Sequence, residues 1–228
     1  MLFAGDNQIL NLDESKGANL LMHTITPHLW FDKEAKEAAE FYTSILQGSR
    51  VKNTATLHNT PSGTVELLTI ELLDQEFRLI NAGPLFKFTP PVSFLVACAT
   101  KEEVDAPWNE LCQGGSALLG VGNYPFSERH GWTQDRYGLS WQVMFMGDRE
   151  IEQKITPTLM FVGQQRGRAE EAIHFYSSVF HDAKVDHILR NGKDDQPDKE
   201  GTIKHAGVSL DGESSAVMDS ARTQLAFQ

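Results

Sequence analysis

The chain has 228 residues, of which 40% are hydrophobic, so it is long enough to bury the core of one or two globular domains. Its formal net charge of −11 gives no electrostatic attraction to nucleic acid or to an anionic membrane surface, and neither is expected as a partner. No stretch approaches the roughly 18 apolar residues of a membrane-crossing helix. The 2 cysteines are too few for a disulfide framework, which favours a cytoplasmic location.

The predicted strands and helices follow a βαβββ order along the chain. Residues 1–22 are polar without a sustained period and are predicted to form a flexible N-terminal extension. A strand is predicted over 25–31, where apolar side chains alternate with others, and a helix over 33–46, where apolar residues have helical spacing. Three more strands, separated by turn residues, are predicted within 51–81. The same βαβββ order recurs over 92–146.

Part of the chain is repeated. The segment Ile-Thr-Pro-His-Leu-Trp-Phe at 25–31 returns as Ile-Thr-Pro-Thr-Leu-Met-Phe at 155–161, and a Phe-Tyr pair occurs in the helix after each. Such a repeat indicates two copies of one domain. The second copy contains a single βαβββ unit before the sequence stops. We therefore expect a complete domain over 23–149 and a partial second domain over 150–228.

The partial domain raises a question of stability. A lone βαβββ unit leaves one face of its sheet uncovered and its edge strand unpaired, which makes it marginally stable unless a partner covers it. The favoured hypothesis is that the chain is a fragment of a longer two-domain protein. The alternative is completion by a second copy of the chain in a homodimer.

The most specific motif of the chain closes the first domain. It reads Gly131-Trp132-x-x-Asp135-Arg136-x-Gly138-x-Ser140-Trp141-Gln142. With the repeated Ile-Thr-Pro-x-Leu-x-Phe segment and the Phe-Tyr pair, it resembles the PhnB-like group of the vicinal oxygen chelate (glyoxalase/bleomycin-resistance) superfamily. Many members of that group carry the description demethylubiquinone methyltransferase. The resemblance implies an α+β fold in which paired βαβββ modules form a half-barrel, whose hollow holds a small molecule and often a divalent metal.

The resemblance also implies where a metal would bind. Metal-dependent members use His or Gln early in the first strand and Glu late in the fourth. Here the first strand offers His28, but the fourth ends in Asn81, and the second copy has Thr158 in place of the histidine. An imidazole beside a carboxamide is a poor divalent site, because no carboxylate offsets the charge of the ion. We therefore expect no metal, with a divalent ion at His28 as the alternative.

Alternation predicts which side chains line the hollow. The apolar face of the first strand should pack on its helix, which leaves His28 and Trp30 toward the hollow. In the last strand of the first domain, Ser140 and Gln142 should line it, and His130 should lie at its rim. The predicted ligand-binding residues are His28, Trp30, Asn81, His130, Ser140 and Gln142, and no catalytic residue is predicted. A pocket with aromatic walls and a few polar groups is typical of a small-molecule site.

The methyltransferase description can be compared with the residues. A nucleotide-like methyl donor is commonly held by a glycine-rich loop between a strand and a helix. The close match, Gly120-Val121-Gly122-Asn123, precedes no predicted helix. The leading hypothesis is therefore a protein that binds a small organic molecule, with no reaction assigned. The alternatives are a metal-dependent lyase, isomerase or dioxygenase-type enzyme, and a methyltransferase.

Overall fold

Three βαβββ modules follow one another in the computed structural model, which describes residues 25–60 and 63–222. Module 1 contains β1 (His28–Phe31), α1 (Ala35–Ile45), β2 (Arg50–Thr60), β3 (Gly63–Leu72) and β4 (Gln75–Asn81). Module 2 contains β5 (Val92–Cys98), α2 (Lys101–Leu111), β6 (Ser116–Tyr124), β7 (Ser127–Gln134) and β8 (Ser140–Phe145). Module 3 contains β9 (Ile155–Phe161), α3 (Ala169–Val179), β10 (Lys184–Arg190), β11 (Ile203–Leu210) and β12 (Glu213–Asp219). The predicted α+β class is confirmed, whereas the extension predicted at 1–22 lies outside the described residues.

In modules 1 and 3, a side chain from the last strand of the module caps the N-terminus of the helix. Asn81 Oδ1 accepts a hydrogen bond from the backbone N–H of Ala35 at 2.8 Å. Asp219 Oδ1 accepts from Gly167 at 2.7 Å and from Ala169 at 3.3 Å. The bonds from Ala35 and Ala169 satisfy N–H groups that a helix leaves without an internal partner. None of the helices within the described ranges has the length and apolar character needed to cross a membrane.

The strands form two sheets, and their pairing differs from the prediction. Module 1 has its own sheet, in the order β1-β4-β3-β2. Modules 2 and 3 share an eight-stranded sheet, because β5 runs antiparallel to β9 with Phe94 opposite Pro157. The sequence predicted that the two modules within 23–149 would pair with each other, and this is wrong. The first strand of each module lies at the edge of that module's own four strands, so strand patterning could not identify which two modules would pair. The domain division at residue 149 stays a prediction.

Module 1 packs against module 2 through the faces that carry the helices. The two modules share one continuous apolar core, to which both α1 and α2 contribute. Within it, the rings of Phe77 and Phe94 lie 5.1 Å apart, and those of Tyr42 and Trp141 lie 5.3 Å apart. Module 3 has a smaller core under α3, formed by Ala169, Ile173, Ile203, Ala206, Val208 and Val217. The inner face of the shared sheet therefore lies on the side away from module 1.

Candidate functional site

The candidate site lies on the inner face of the eight-stranded sheet. Trp132 on β7 is opposite Gln142 on β8, and Ser140 on β8 is opposite Ser93 on β5. Directly opposed residues of paired strands point to the same face, so these side chains share one surface. The intervening residue Trp141 points the other way, into the core shared with module 1. The sheet thus presents a polar row on its inner face over an apolar layer on its outer face.

A chain of hydrogen bonds connects the polar side chains. Gln142 donates through Nε2 to Ser93 Oγ at 3.0 Å, and its Oε1 lies 3.1 Å from His130 Nε2. Because Oε1 can only accept, His130 Nε2 carries the proton. Burial lowers the pKa of His130, and the hydrogen bond to Gln142 opposes this only in part. The imidazole is therefore neutral near pH 7, and its Nδ1 is an unprotonated acceptor.

This Nδ1 atom is unusual for a buried polar atom. His130 is only 3% exposed, and its Nδ1 has no hydrogen-bond partner among the described residues. Most buried polar atoms have a hydrogen-bond partner, so a buried acceptor without one indicates a position where a further donor can bind. The rings of Tyr124 and Phe126, at the tip between β6 and β7, lie 5.8 and 5.1 Å from the His130 ring. Phe126 is 56% exposed, so this aromatic cover is at the surface.

The sheet curls strongly around this face. Trp132 on β7 packs with Met160 and Val162, at the far end of β9, although β8 and β5 lie between β7 and β9. The Trp132 indole donates to Ser140 Oγ at 2.7 Å. The inner face of the sheet shared by modules 2 and 3 is therefore concave, with Trp132 beside the polar row.

The chemistry available on this inner face is that of a neutral imidazole in a fixed tautomer. Such a group accepts a hydrogen bond from a hydroxyl or N–H, and it can accept the proton as a general base. No group of three or more His, Cys, Asp or Glu side chains within the described ranges could hold a metal ion. Of the predicted site residues, His130, Ser140 and Gln142 come together here.

The other three predicted residues lie in module 1. Phe31 on β1 is opposite Asn81 on β4, so the Asn81 side chain lies on the face that carries α1, where it caps that helix. His28 and Trp30 lie on the opposite face of β1, because successive side chains of a strand alternate. The Trp30 indole donates to the Gly83 carbonyl at 2.8 Å. His28 and Asn81 therefore cannot act together on one ion.

A groove of about 490 Å³ lies away from this inner face. It runs between β1 of module 1, the junction of β5 with β9, and α3. Its lining is mostly apolar and includes Pro27, Leu29, Phe94, Leu159, Tyr176 and Phe180, with His28 as one of the few polar groups.

Sequence reasoning missed three polar residues of the shared sheet. Ser93 completes the relay to His130. The alternation of β5 could have placed its side chain on the inner face, but only the structure sets it opposite Ser140. His187 Nε2 and His205 Nδ1 lie 2.8 Å apart on module 3. Burial and the neighbouring His187 and Arg149 lower the pKa of His205. Gly207 leaves room for this pair, since a Cβ there would lie 2.7 Å from the His187 ring.

Comparison with known proteins supports the same fold. The chain matches the family model described as 3-demethylubiquinone-9 3-methyltransferase over residues 23–144 and 153–228. A solved Bacillus cereus protein, described as 3-demethylubiquinone-9 3-methyltransferase and PhnB protein, is 38% identical with a TM-score of 0.50, covering 54% of this chain and 98% of that one. Glyoxalase I from Zea mays is 13% identical with a TM-score of 0.53, covering 85% of this chain and 66% of that one. No match was found among curated proteins. The expected glyoxalase-like fold is confirmed.

Proposed function

Since this chain belongs to the 3-demethylubiquinone-9 3-methyltransferase family, we propose that it binds a small organic molecule on the inner face of the sheet that modules 2 and 3 share. PhnB-like members of this family have the glyoxalase fold of the vicinal oxygen chelate superfamily. The observation that supports this most directly is the buried, unpartnered Nδ1 of His130. The relay through Gln142 and Ser93 fixes the tautomer, so the acceptor is in place before a ligand arrives. The ligand would contribute the missing donor.

The chemistry of the site suggests the class of ligand. An unprotonated imidazole nitrogen beside Tyr124 and Phe126 suits a partly apolar molecule with a hydroxyl group. The name of the family refers to a demethylated quinone, in which a hydroxyl replaces a methoxy group, and such a hydroxyl could donate to His130.

Binding without an assigned reaction is the function proposed. The glycine-rich run at 120–122 lies inside β6, rather than in a loop between a strand and a helix, and so lacks the geometry of a methyl-donor site. In the metal-dependent alternative the ion binds at His28, and Asn81 cannot be one of its oxygen ligands because it lies on the opposite face of module 1. The cytoplasmic location and the homodimer remain predictions from the sequence.

The test uses two small aromatic molecules, of which only one can donate a hydrogen bond. Catechol has two hydroxyl groups, and 1,2-dimethoxybenzene has the same ring without a donor. Isothermal titration of the 228-residue chain under anaerobic conditions should show saturable binding of catechol, with 1,2-dimethoxybenzene about 10- to 100-fold weaker because the hydrogen bond to His130 is lost. His130→Ala should reduce catechol binding to the level of the dimethoxy compound.

A matched control is available in His58, an exposed histidine on β2 whose Nδ1 lies 3.3 Å from Thr64 Oγ1. His58→Ala should bind catechol as the parent chain does. Absence of saturable catechol binding, or equal affinity in the His130→Ala and parent proteins, would contradict the proposed function.

A further inference from the structure

A pair of histidines on module 3 lies on the same face of the shared sheet as the site described above. Ala206 and Val208 on β11 enter the core under α3. The alternate residues His205 and Gly207 therefore lie on the inner face. His187 on β10 is opposite Gly207 and points to the same side. Both imidazoles thus belong to the inner face.

The two imidazoles form a hydrogen-bonded pair, edge to edge. His187 Nε2 lies 2.8 Å from His205 Nδ1, the ring planes differ by 8°, and the ring centroids are 5.0 Å apart. In such a pair one of the facing nitrogens donates and the other accepts. The pair can take up one proton without losing this bond, because only one of the facing nitrogens has to remain an acceptor. It can therefore change from neutral to singly positive with its geometry intact.

Arg149, in the segment between β8 and β9, adds a positive charge beside this pair. Its guanidinium donates through Nε to the carbonyl of Met146 at 2.8 Å. Through Nη2 it donates to the carbonyls of Phe145 and Phe126, at 3.3 and 3.5 Å. These acceptors are neutral, so the contacts position the guanidinium without cancelling its charge. The same charge lowers the pKa of His205, so Arg149 lies near the histidine pair.

Phe126 connects Arg149 to the site of the proposed ligand. The carbonyl of Phe126 accepts from Arg149, and its ring lies 5.1 Å from the His130 ring. Arg149 is therefore close to His130 on module 2 and to His205 on module 3. A molecule that donates a hydroxyl to His130 has this guanidinium at its edge.

We propose that Arg149 and the His187–His205 pair form an anion subsite, and that the ligand is an aromatic acid whose carboxylate binds there while its hydroxyl donates to His130. This inference rests on the proposed function and names the class of its ligand. The planar N–H groups of an arginine suit a carboxylate, and a histidine of the pair can contribute a further donor. The chain as a whole has a net charge of −11, which repels anions. A local positive group is therefore needed for an acid to bind.

The groups around His205 come from three parts of the chain. Besides the paired histidine, β10 contributes Asp186, whose carboxylate lies 3.1 Å from Lys184 Nζ. The antiparallel register of β11 and β12 brings Met218, which carries no charge, beside His205. The segment after β8 contributes Arg149. Of these groups, Arg149 is the one whose effect on His205 a bound anion would cancel.

Binding of the carboxylate should be coupled to uptake of a proton. Burial and the neighbouring His187 and Arg149 lower the pKa of His205 in the free protein. A carboxylate at Arg149 offsets that positive charge and raises the pKa again, so the complex binds more protons than the free protein. The preference for an acid over a neutral analogue should therefore grow as the pH falls from about 8 to about 6.

The test compares 3,4-dihydroxybenzoate with 3,4-dihydroxybenzamide, which has the same ring and hydroxyl groups without the charge. Isothermal titration of the 228-residue chain at low ionic strength and without oxygen should show the benzoate binding about fivefold or more tightly than the benzamide. Arg149→Gln should remove this preference, and His205→Gln should reduce it. The matched control is Arg166→Gln, which changes an exposed arginine that donates to the Pro197 carbonyl at 3.5 Å and should keep the preference.

The outcomes separate this inference from the proposed function. Equal affinity of the parent chain for the two compounds would overturn the anion subsite and leave the proposed function standing. If neither compound bound, the proposed function would fail, and the subsite with it. Equal weakening of both compounds by Arg149→Gln would show that Arg149 only holds Phe126 in place. A preference for the benzoate that did not change between about pH 6 and about pH 8 would contradict the part assigned to the histidine pair.

Discussion

The hydroxyl of Tyr42 donates a hydrogen bond to Asp135 Oδ2 at 2.7 Å and thereby joins α1 of module 1 to the turn between β7 and β8 of module 2. The Trp141 indole donates to the same oxygen at 2.9 Å. The backbone N–H groups of Tyr137 and Leu139 donate to Oδ1 at 2.8 and 3.1 Å. Burial raises the pKa of Asp135 even though these donors act in the opposite direction. The Asp and Trp of the specific motif are thus the structural centre of the contact between two modules.

Tyr42→Phe should reduce the free energy of unfolding by about 1.5–3 kcal/mol, because it removes a buried hydrogen bond to a carboxylate. The measurement is urea unfolding followed by circular dichroism. Tyr176→Phe is the matched control, since it makes the same change at the corresponding, exposed position of α3. It should change the free energy by no more than about 0.5 kcal/mol. Equal effects of the two substitutions would show that the contact with Asp135 does not stabilise the fold.

Gly131→Ala should destabilise the protein by about 1–3 kcal/mol, because overpacking forces neighbouring groups to move. A Cβ at this position would lie 2.5 Å from carbon atoms of the Trp108 ring on α2. The control is Gly120→Ala on β6, where a Cβ would have no neighbour within 4 Å. The midpoint of thermal unfolding should fall for Gly131→Ala and should stay unchanged for Gly120→Ala. An unchanged midpoint would mean that α2 can shift at little cost.

Asn81→Ala should cost about 1 kcal/mol of stability, because the side chain caps α1. Asn81→Asp should be tolerated, since Asp219 performs the same capping role in module 3. Asn53→Ala, an exposed amide on β2, serves as the control for thermal unfolding. If Asn81→Ala abolished catechol binding without any loss of stability, Asn81 would be a ligand-binding residue as the sequence predicted.

The free energy of unfolding should fall as the pH drops below about 6.5. Burial lowers the pKa of His130 below its usual value of 6.5, so the unfolded chain binds more protons than the folded chain in this range. Urea unfolding at about pH 7.5 and about pH 5.5 measures the loss. His130→Gln should make the loss smaller. The lowered pKa of His205 acts with the same sign, so His130→Gln combined with His205→Gln should reduce it further.

Equal loss of stability in the parent and in both histidine variants would contradict this assignment. It would mean that other groups control the decline in stability toward acid pH.

The sequence predicted which residues of β8 lie on the inner face, because this depends only on the local alternation of side chains along the strand. Trp141 and Val143 enter the core, and Ser140 and Gln142 point to the inner face, as their alternation predicted. Asn81 shows where this reasoning stops. Its position at the end of β4 was identified, but the parallel register that sets it opposite Phe31, on the side of α1, is a relation between two strands.

By itself, the sequence determined the α+β class, the family and the βαβββ order, because these depend on periodicity, turn residues and motifs within short segments. Only the tertiary structure decided which modules pair, because β1, β5 and β9 each lie at the edge of their own module and their patterns do not distinguish one from another. It also placed His130 against Gln142 and Ser93, and it left Tyr176 uncovered while burying Tyr42. These relations arise from contacts between segments far apart in the chain, and no local pattern encodes them.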